Sequence, residues 1–260
     1  MKYCMLAQTG HNIPMKDTIK LIKHVGFTEV YLSGNESVIS NNDIQNIYDN
    51  SLSIEAYHLP YNMPFNLINS LWLNDVNAMD AKKIIKAHFD FICGNKIRKA
   101  VLHASSGFNP PPITQQGLDN FKSIIDYGSN MGLLIAIENI KRMDYVESLL
   151  DNNRNENVGF CFDIGHANAF TRNLYDYDWA PLLQRLISIH LHDNDGKEDL
   201  HLIPGLGNIK FDYVFNTLLK GRDVNICLET YYKGRERYYY GINSKQFFDK
   251  VFHSIDQYGN

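Results

Sequence analysis

LLIAIENIKRMDYVESLLDNNRNENVGFCFDIGH, residues 133–166, decides the fold. It opens on LLIAIE (133–138), an apolar run of strand length that ends on an acid, Glu138. Residues 142–151 read as a helix, and VGFCF (158–162) reads as a second buried strand, followed at once by Asp163. Strand, helix and strand in that order make a parallel βαβ unit, since parallel neighbours need a long crossover.

The same alternation extends in both directions. Strand-like runs fall at YCMLAQ (3–8), FTEVYL (27–32), LSIEAYH (52–58), KAVLH (99–103), LISIHL (186–191) and NICLE (225–229). Helical patterns lie between and after them at 14–25, 41–50, 77–93, 114–131, about 178–185, 210–220 and 243–257. In the third helix, Ala78, Ala81, Ile84, Ile85, His88, Phe89 and Ile92 recur at three- and four-residue spacing, one apolar face for a sheet. Gly26, Gly94 and Gly132 follow the first, third and fourth helices, where a left-handed helix end favours glycine, and Pro14 stands in the first turn of the first helix. With no linker, low-complexity segment or repeat, the expectation is an α/β protein: a single (β/α)8 TIM barrel spanning residues 1–260 as one domain.

Bulk properties narrow the function classes. At 260 residues and 44% hydrophobic the chain can bury a sizeable core, and its net charge of −4 advertises no overall basic field for nucleic acid or an anionic membrane. No apolar run approaches the roughly 20 residues of a membrane span. The start MKYCMLAQTG lacks the features of a secretory signal, so a soluble, cytoplasmic protein is expected. Cys4, Cys93, Cys161 and Cys227 are widely spaced and read as reduced core thiols.

The barrel expectation gives the acids and histidines their meaning. In such folds the strand C-termini and following loops converge on one face. His58, His103, Glu138, Asp163, His190 and Glu229 stand at the ends of the third through eighth strands, with His166, Asp199 and His201 in the adjoining segments. Imidazole and carboxylate together suit zinc, manganese, iron or cobalt, and the lack of a cysteine cluster argues against a thiolate site. Nine such donors could hold one to three divalent ions, zinc or manganese first. His192 shares a strand side with His190 and is kept as a substrate contact. His24, His88 and His253 lie in helices and read as ordinary residues, and His11 is left open.

The motifs AYHLPY, VLHAS, IAIENI, FDIGHAN, IHLHDNDGKEDLHLIPGLGNI and ICLETY resemble, in order, the metal motifs of the xylose isomerase-like barrel superfamily, which includes sugar-phosphate isomerases and epimerases and endonuclease IV. The resemblance covers about residue 50 to residue 232. It implies the nine-ligand set His58, His103, Glu138, Asp163, His166, His190, Asp199, His201 and Glu229 of the trinuclear nuclease, of which Glu138, Asp163, His190 and Glu229 form the mononuclear set of the epimerases. In the isomerase reading, Glu138 and Glu229 move protons at a carbon of a small sugar or sugar phosphate.

Three departures point away from DNA repair. HLHDN stands where the nuclease pattern is HLND, FDIGH stands for D-T-C-H, and the arginine-flanked R-x-D-R-H form is missing. Basic residues are sparse in the loops, with Lys141, Arg142, Arg235 and Arg237 the main ones. Lys141, Arg235 and Arg237 are expected to contact an anionic substrate, and Tyr61 to line the pocket. An abasic-DNA phosphodiesterase, with Tyr61 as a wedge, is the alternative, and a metal-binding accessory protein without turnover a third.

Overall fold

The computed structural model describes residues 2–11, 13–35, 38–171, 174–256 and 258. Its strands are β1 (Tyr3–Leu6), β2 (Glu29–Ser33), β3 (Ser53–His58), β4 (Lys99–His103), β5 (Leu134–Glu138), β6 (Val158–Asp163), β7 (Leu186–Leu191) and β8 (Ile226–Leu228). All pair in parallel in chain order, and β8 returns to β1 through Cys4 opposite Cys227 and Met5 opposite Leu228. The fold is a closed (β/α)8 barrel. Among the described residues, no helix is long and apolar enough to cross a membrane.

The helices α1 (Met15–Val25), α2 (Asn41–Asp49), α3 (Leu67–Ser70), α4 (Val76–Gly94), α5 (Gln115–Asn130) and α6 (Met143–Asp151) connect the first six strands. Local chemistry sets their ends. The Ser40 hydroxyl accepts from the Asp43 amide while the Asp43 carboxylate accepts from the Ser40 amide, and Asp75 and Thr114 cap α4 and α5 alone. Gly26, at φ 117°, closes α1 in the left-handed region, where its amide reaches the carbonyls of Ile22 and Lys23.

Two cores result. The larger lies between barrel and helices, with Phe89, Phe121, Ile124 and Ile135 fully buried in it. The smaller comprises Cys4, Leu6, Tyr31, Ala56, Val101, Ala136, Cys161 and Cys227 and fills the barrel interior, so three of the four cysteines are buried free thiols and Cys93 is half-buried. Near the strand N-termini, Lys99 pairs with Glu55, and Asn225 bridges Glu29 and Glu55, a polar floor remote from the reactive end.

Several local expectations need correction. Gly94 is still helical, and the left-handed residue beyond α4 is Lys96 at φ 62°. Pro14 precedes the first turn of α1, where it caps the helix without a side-chain bond. The helix expected at 178–185 shrinks to α8 (Ala180–Leu183), because the chain turns helical much earlier, in α7 (Ile164–His166) and a π-helical turn at Ala167–Thr171. The helix expected at 210–220 is one turn, α9 (Phe211–Tyr213), widening into a π turn at Val214–Leu218 in which the Leu219 amide reaches back five residues to Val214. The last helix, α10 (Ser244–His253), is capped by an Asn243–Gln246 box and is shorter than 243–257, whose residue 257 lies outside the described residues.

Candidate metal centre

Strand register brings the polar residues together. His103 lies opposite Glu138 across β4 and β5, and Asp163 opposite His190 across β6 and β7. His58, His103, Glu138 and Asp163 are the last residues of their strands, while Glu229 comes one residue after β8 and His192 one after β7. Glu138, Asp163, His190 and His192 have no solvent exposure. A single buried face of the barrel therefore carries every strand-end residue singled out in the sequence.

Among the described residues the histidine and carboxylate donors form three adjoining groups, and the buried Cys161 thiol makes a further one with Glu138 and His190. The first is His58, His103 and Glu138, with Glu138 Oε2 at 3.0 Å from His58 Nε2 and 2.8 Å from His103 Nε2. The second is Glu138, Asp163, His190 and Glu229, in which His190 Nδ1 lies 2.8 Å from Glu138 Oε1, 3.7 Å from Asp163 Oδ2 and 3.6 Å from Glu229 Oε2. The third is His166, His192, Asp199 and His201, drawn together around Asp199. Glu138 belongs to the first two groups, one carboxylate oxygen toward each, and Asp163 Oδ1 reaches the third through His192 at 3.3 Å.

Residues 47–246 match the family model described as xylose isomerase-like TIM barrel. The chain belongs to the xylose isomerase-like TIM barrel family. An uncharacterised protein of Methanocaldococcus jannaschii is 32% identical over 130 residues, 45% of this chain and 43% of that protein, so the match spans under half of the relative. D-psicose 3-epimerase from Clostridium cellulolyticum H10, solved with D-tagatose, superposes with a TM-score of 0.74 at 11% identity over 99% of this chain and 98% of its own. The IOLI protein with a bound zinc atom superposes at 0.73 and 17% identity over 99% and 96%. At these identities the structural likeness is one of fold.

The donor set of this xylose isomerase-like barrel fits divalent metal on its own geometry. His58, His166 and His201 each direct Nδ1 to a backbone carbonyl, of Leu59 at 2.8 Å, Asn139 at 3.0 Å and Glu229 at 2.7 Å. A donating Nδ1–H leaves the Nε2 lone pair free, and in all three rings Nε2 faces the acidic groups. Asp163 Oδ2, His190 Nε2, both nitrogens of His192 and Asp199 Oδ1 are buried without a hydrogen-bond partner. Orphaned buried polar atoms are costly, and a cation would satisfy Asp163 Oδ2, Asp199 Oδ1 and one nitrogen of His192.

Charge follows the same pattern. Burial opposes ionisation of Glu138, yet the imidazoles of His190 and His103 outweigh it and hold the carboxyl well below the usual range. Asp199 is likewise buried, and His201 and His166 hold it well below. Glu229 goes the other way, since burial and then the charges of Glu138 and Asp163 push it well above the usual range. Burial lowers the His103 imidazole to about 4, the neutral state in which an imidazole serves as a ligand.

A small cavity lies beside these groups. A cavity of about 170 Å³ is lined by Tyr61, His103, Lys141, His166, Phe170 and Asp199, with Asn62 and Ser106 at its side. That is below the roughly 300 Å³ at which drug-sized pockets begin, a space for a small molecule. The larger 520 Å³ pocket around Val38, Tyr57, Met63 and His88 is apolar and touches none of the three groups. Tyr61 stacks on the His103 ring at 4.2 Å, and the Lys141 ammonium sits between the rings of Phe108 and Phe170 at 4.6 and 4.7 Å.

Other expected contacts are placed elsewhere. Arg235 donates to the carbonyls of Leu200 and Asp199, so its guanidinium braces the loop that carries Asp199. Arg237 lies over Tyr238 on the exposed 3-10 turn Glu236–Tyr238 and does not line the cavity. His192 does not line it either; its ring belongs to the third group. His11 stacks on Tyr232 at 4.0 Å, while His88 and His253 bond to Tyr57 and Asp256.

Two residues escaped the sequence reading. Asn139 clamps β5 to β6 by giving its amide N–H to the Asp163 carbonyl and accepting the Asp163 amide, both at 2.7 Å. Asp193 accepts four backbone amides, from Asn194, Gly205, Gly207 and Ile209, and so folds the PGLGNI loop. Each directly follows a singled-out residue in its motif, Glu138 and His192, and that adjacency was the available signal.

Proposed function

We propose that this barrel is a divalent-metal-dependent isomerase or epimerase of a small phosphorylated sugar. The observation that carries the reading is the second group, in which Glu138 and Glu229 flank His190 and Asp163 at the mouth of the barrel. The family and the fold shared with sugar epimerases support it. Residues Glu138, Asp163, His190 and Glu229 would hold one ion, with His58, His103, His166, Asp199 and His201 able to hold others. A divalent ion held there would supply Lewis acidity to a substrate carbonyl and its neighbouring hydroxyl, easing removal of the proton on the adjoining carbon.

The protein's own groups divide the remaining work. Glu229 stays 3.6 Å from His190 and 3.9 Å from His201, outside hydrogen-bond reach, and is the freer carboxyl to take a proton from one substrate carbon. Isomerisation follows if it hands that proton to the adjacent carbon, and epimerisation if Glu138, across the site, supplies one to the opposite face of the same carbon. Glu138, gripped by three imidazoles, orients substrate and stabilises charge across the site. Lys141 is the one lysine or arginine among the described residues lining the cavity, and it pairs with the phosphate. Tyr61 covers the sugar from the His103 side and excludes water.

A second reading, hydrolysis of a phosphate ester such as that at an abasic site in DNA, is favoured by one observation. Glu138 spans two donor groups, the arrangement of a two-ion site. Against it, duplex binding draws on many phosphate contacts, and the cavity presents a single ammonium.

The test is proton exchange. The zinc- or manganese-loaded protein is incubated in deuterated water with a panel of ketose phosphates, and deuterium at the carbon next to the carbonyl is read by NMR. Incorporation that vanishes in Glu229→Gln supports the reading. No incorporation with any sugar phosphate, together with cleavage of an abasic-site duplex, overturns it in favour of the hydrolase. Retained metal with neither activity leaves an accessory metal-binding protein.

A further inference from the structure

His192 occupies a position that substrate contact cannot explain. Its ring has no solvent exposure and lies outside the cavity lining. A neutral imidazole carries one donor and one acceptor, yet neither His192 nitrogen makes a well-formed hydrogen bond, the nearest acceptor being Asp163 Oδ1 at 3.3 Å from Nε2. A buried polar group left unpaired is destabilising, because it gives up its hydrogen bonds to water and gains none. The fold nevertheless makes room for this ring: a Cβ on Gly165 would come within 2.0 Å of His192 Cε1 and 2.3 Å of both nitrogens.

The surroundings supply the missing partner. His192 Nε2 lies 3.5 Å from Asp199 Oδ1, while Asp199 Oδ2 is 3.3 Å from His166 Nε2 and 3.2 Å from His201 Nε2. Zinc bonds of about 2.0–2.1 Å in a tetrahedron separate neighbouring donor atoms by about 3.3–3.4 Å. The spacings to Asp199 are close to those edges, shared between its two oxygens, and one donor atom from each of the four residues lies within 4.8 Å of the rest. His192 and His201 stack at 3.8 Å with 17° between their planes, so an ion held by both requires these rings to splay apart. His166 and His201 are held from behind by the carbonyls of Asn139 and Glu229, so three imidazoles and one carboxylate converge from separate segments. The group His58, His103 and Glu138 offers three donors and leaves one position free.

We propose that His192 is the fourth protein ligand of a closed zinc centre with His166, Asp199 and His201. The inference rests on the metal-dependent reading above. Four protein ligands and no open position are the mark of a structural site, whereas catalytic zinc keeps a position for substrate or water. This outer centre locks the segment from His192 to His201 onto the end of β6, and the exchangeable, reactive positions are those built on Glu138. HLHDN thereby has a chemical meaning: its second histidine turns a three-donor group into a four-donor one.

The experiment follows zinc and cobalt, not turnover. Wild-type protein, His192→Asn, His192→Cys and His58→Asn are loaded with zinc, desalted, counted by elemental analysis and challenged with a chromophoric chelator. Wild type should release its zinc in a fast and a slow phase. His192→Asn should lose the slow phase, its outer zinc leaving at least about 100-fold faster, beyond the 10–100-fold typical of residues that only orient a ligand. His58→Asn should lose only fast zinc.

Loaded with cobalt(II), wild type should show the intense visible band of four-coordinate cobalt, and His192→Asn should not. His192→Cys should keep the slow phase and add a thiolate-to-cobalt band in the near ultraviolet, a signature that a packing role cannot produce. An unchanged slow phase and cobalt band in His192→Asn overturn the proposal. Should both His192 variants fail to fold, anomalous zinc density in wild-type crystals decides: zinc within bonding distance of His192 Nε2 supports it, and zinc on the other three ligands alone overturns it. Because no sugar is turned over, an inactive protein with an intact slow phase defeats the isomerase reading only, and an active one lacking it defeats this inference only.

Discussion

Gly165 and His192 are in direct contact at the junction of β6 and β7, the glycine of FDIGH lying flat against the second histidine of HLHDN. Two motifs separated in the chain are thus one structural unit. A methyl group at Gly165 meets the ring at 2.0 Å, and the ring is walled in by His201, stacked on it at 3.8 Å. Gly165→Ala is expected to cost about 1–3 kcal/mol through overpacking and to lower Tm by several degrees. A thermal melt matching wild type would contradict the contact.

Glu138 ties the first two donor groups, so its charge matters to both. Glu138→Gln keeps the shape and removes the anion that His58, His103 and His190 face. Zinc bound by the purified protein should fall by about two equivalents in elemental analysis, and turnover by about 10²–10⁴-fold. The far-UV circular dichroism spectrum should be retained.

Lys141 bears on substrate class. Loss of a charge-assisted bond to phosphate costs about 1.5–3 kcal/mol, equal to roughly 10–150-fold in kcat/KM. Lys141→Ala should therefore raise KM for a phosphorylated sugar and leave kcat little changed. Steady-state kinetics that show the same loss with an unphosphorylated sugar would remove the phosphate from the argument.

His11 gives a pH dependence that is independent of metal. Burial lowers its imidazole from the ordinary 6.5 to about 4. The unfolded chain then takes up the proton at higher pH than the folded one. The stabilising contribution is complete above pH 6.5 and is lost as pH falls toward 4. Denaturant melts of chelator-treated protein across that interval should show a decline that is shallower in His11→Gln.

The barrel was legible because its signals are local and repeated. Short apolar runs ending on His103, Glu138, Asp163 and His190 mark both the strands and the end at which function gathers. Helix boundaries were less so. The segment after Asp163 turns helical immediately, since the Asp163 carboxylate accepts the His166 amide at 2.6 Å, a capping bond that Asp–Ile–Gly–His suggests only once the strand end is known.

The roles of the long basic side chains were least legible. Arg235 and Lys141 are alike in sequence as isolated cations in loops, yet Arg235 is spent on two carbonyls and Lys141 faces the cavity. Which of the two happens depends on where a flexible four-bond side chain finds acceptors, and those acceptors come from segments distant in the chain.

Residue order alone was enough to establish the eightfold alternation and the strand ends at which histidines and acids collect, because strand and helix periodicity and the one-sided chemistry of a barrel are properties of short segments. The grouping of those side chains could come only from the closed barrel. Glu138 spans two groups, and His192 joins the third and does not line the cavity, because barrel closure turns the side chains at the ends of β3 through β8 toward one another, and donor spacing at that scale is set by register and ring orientation.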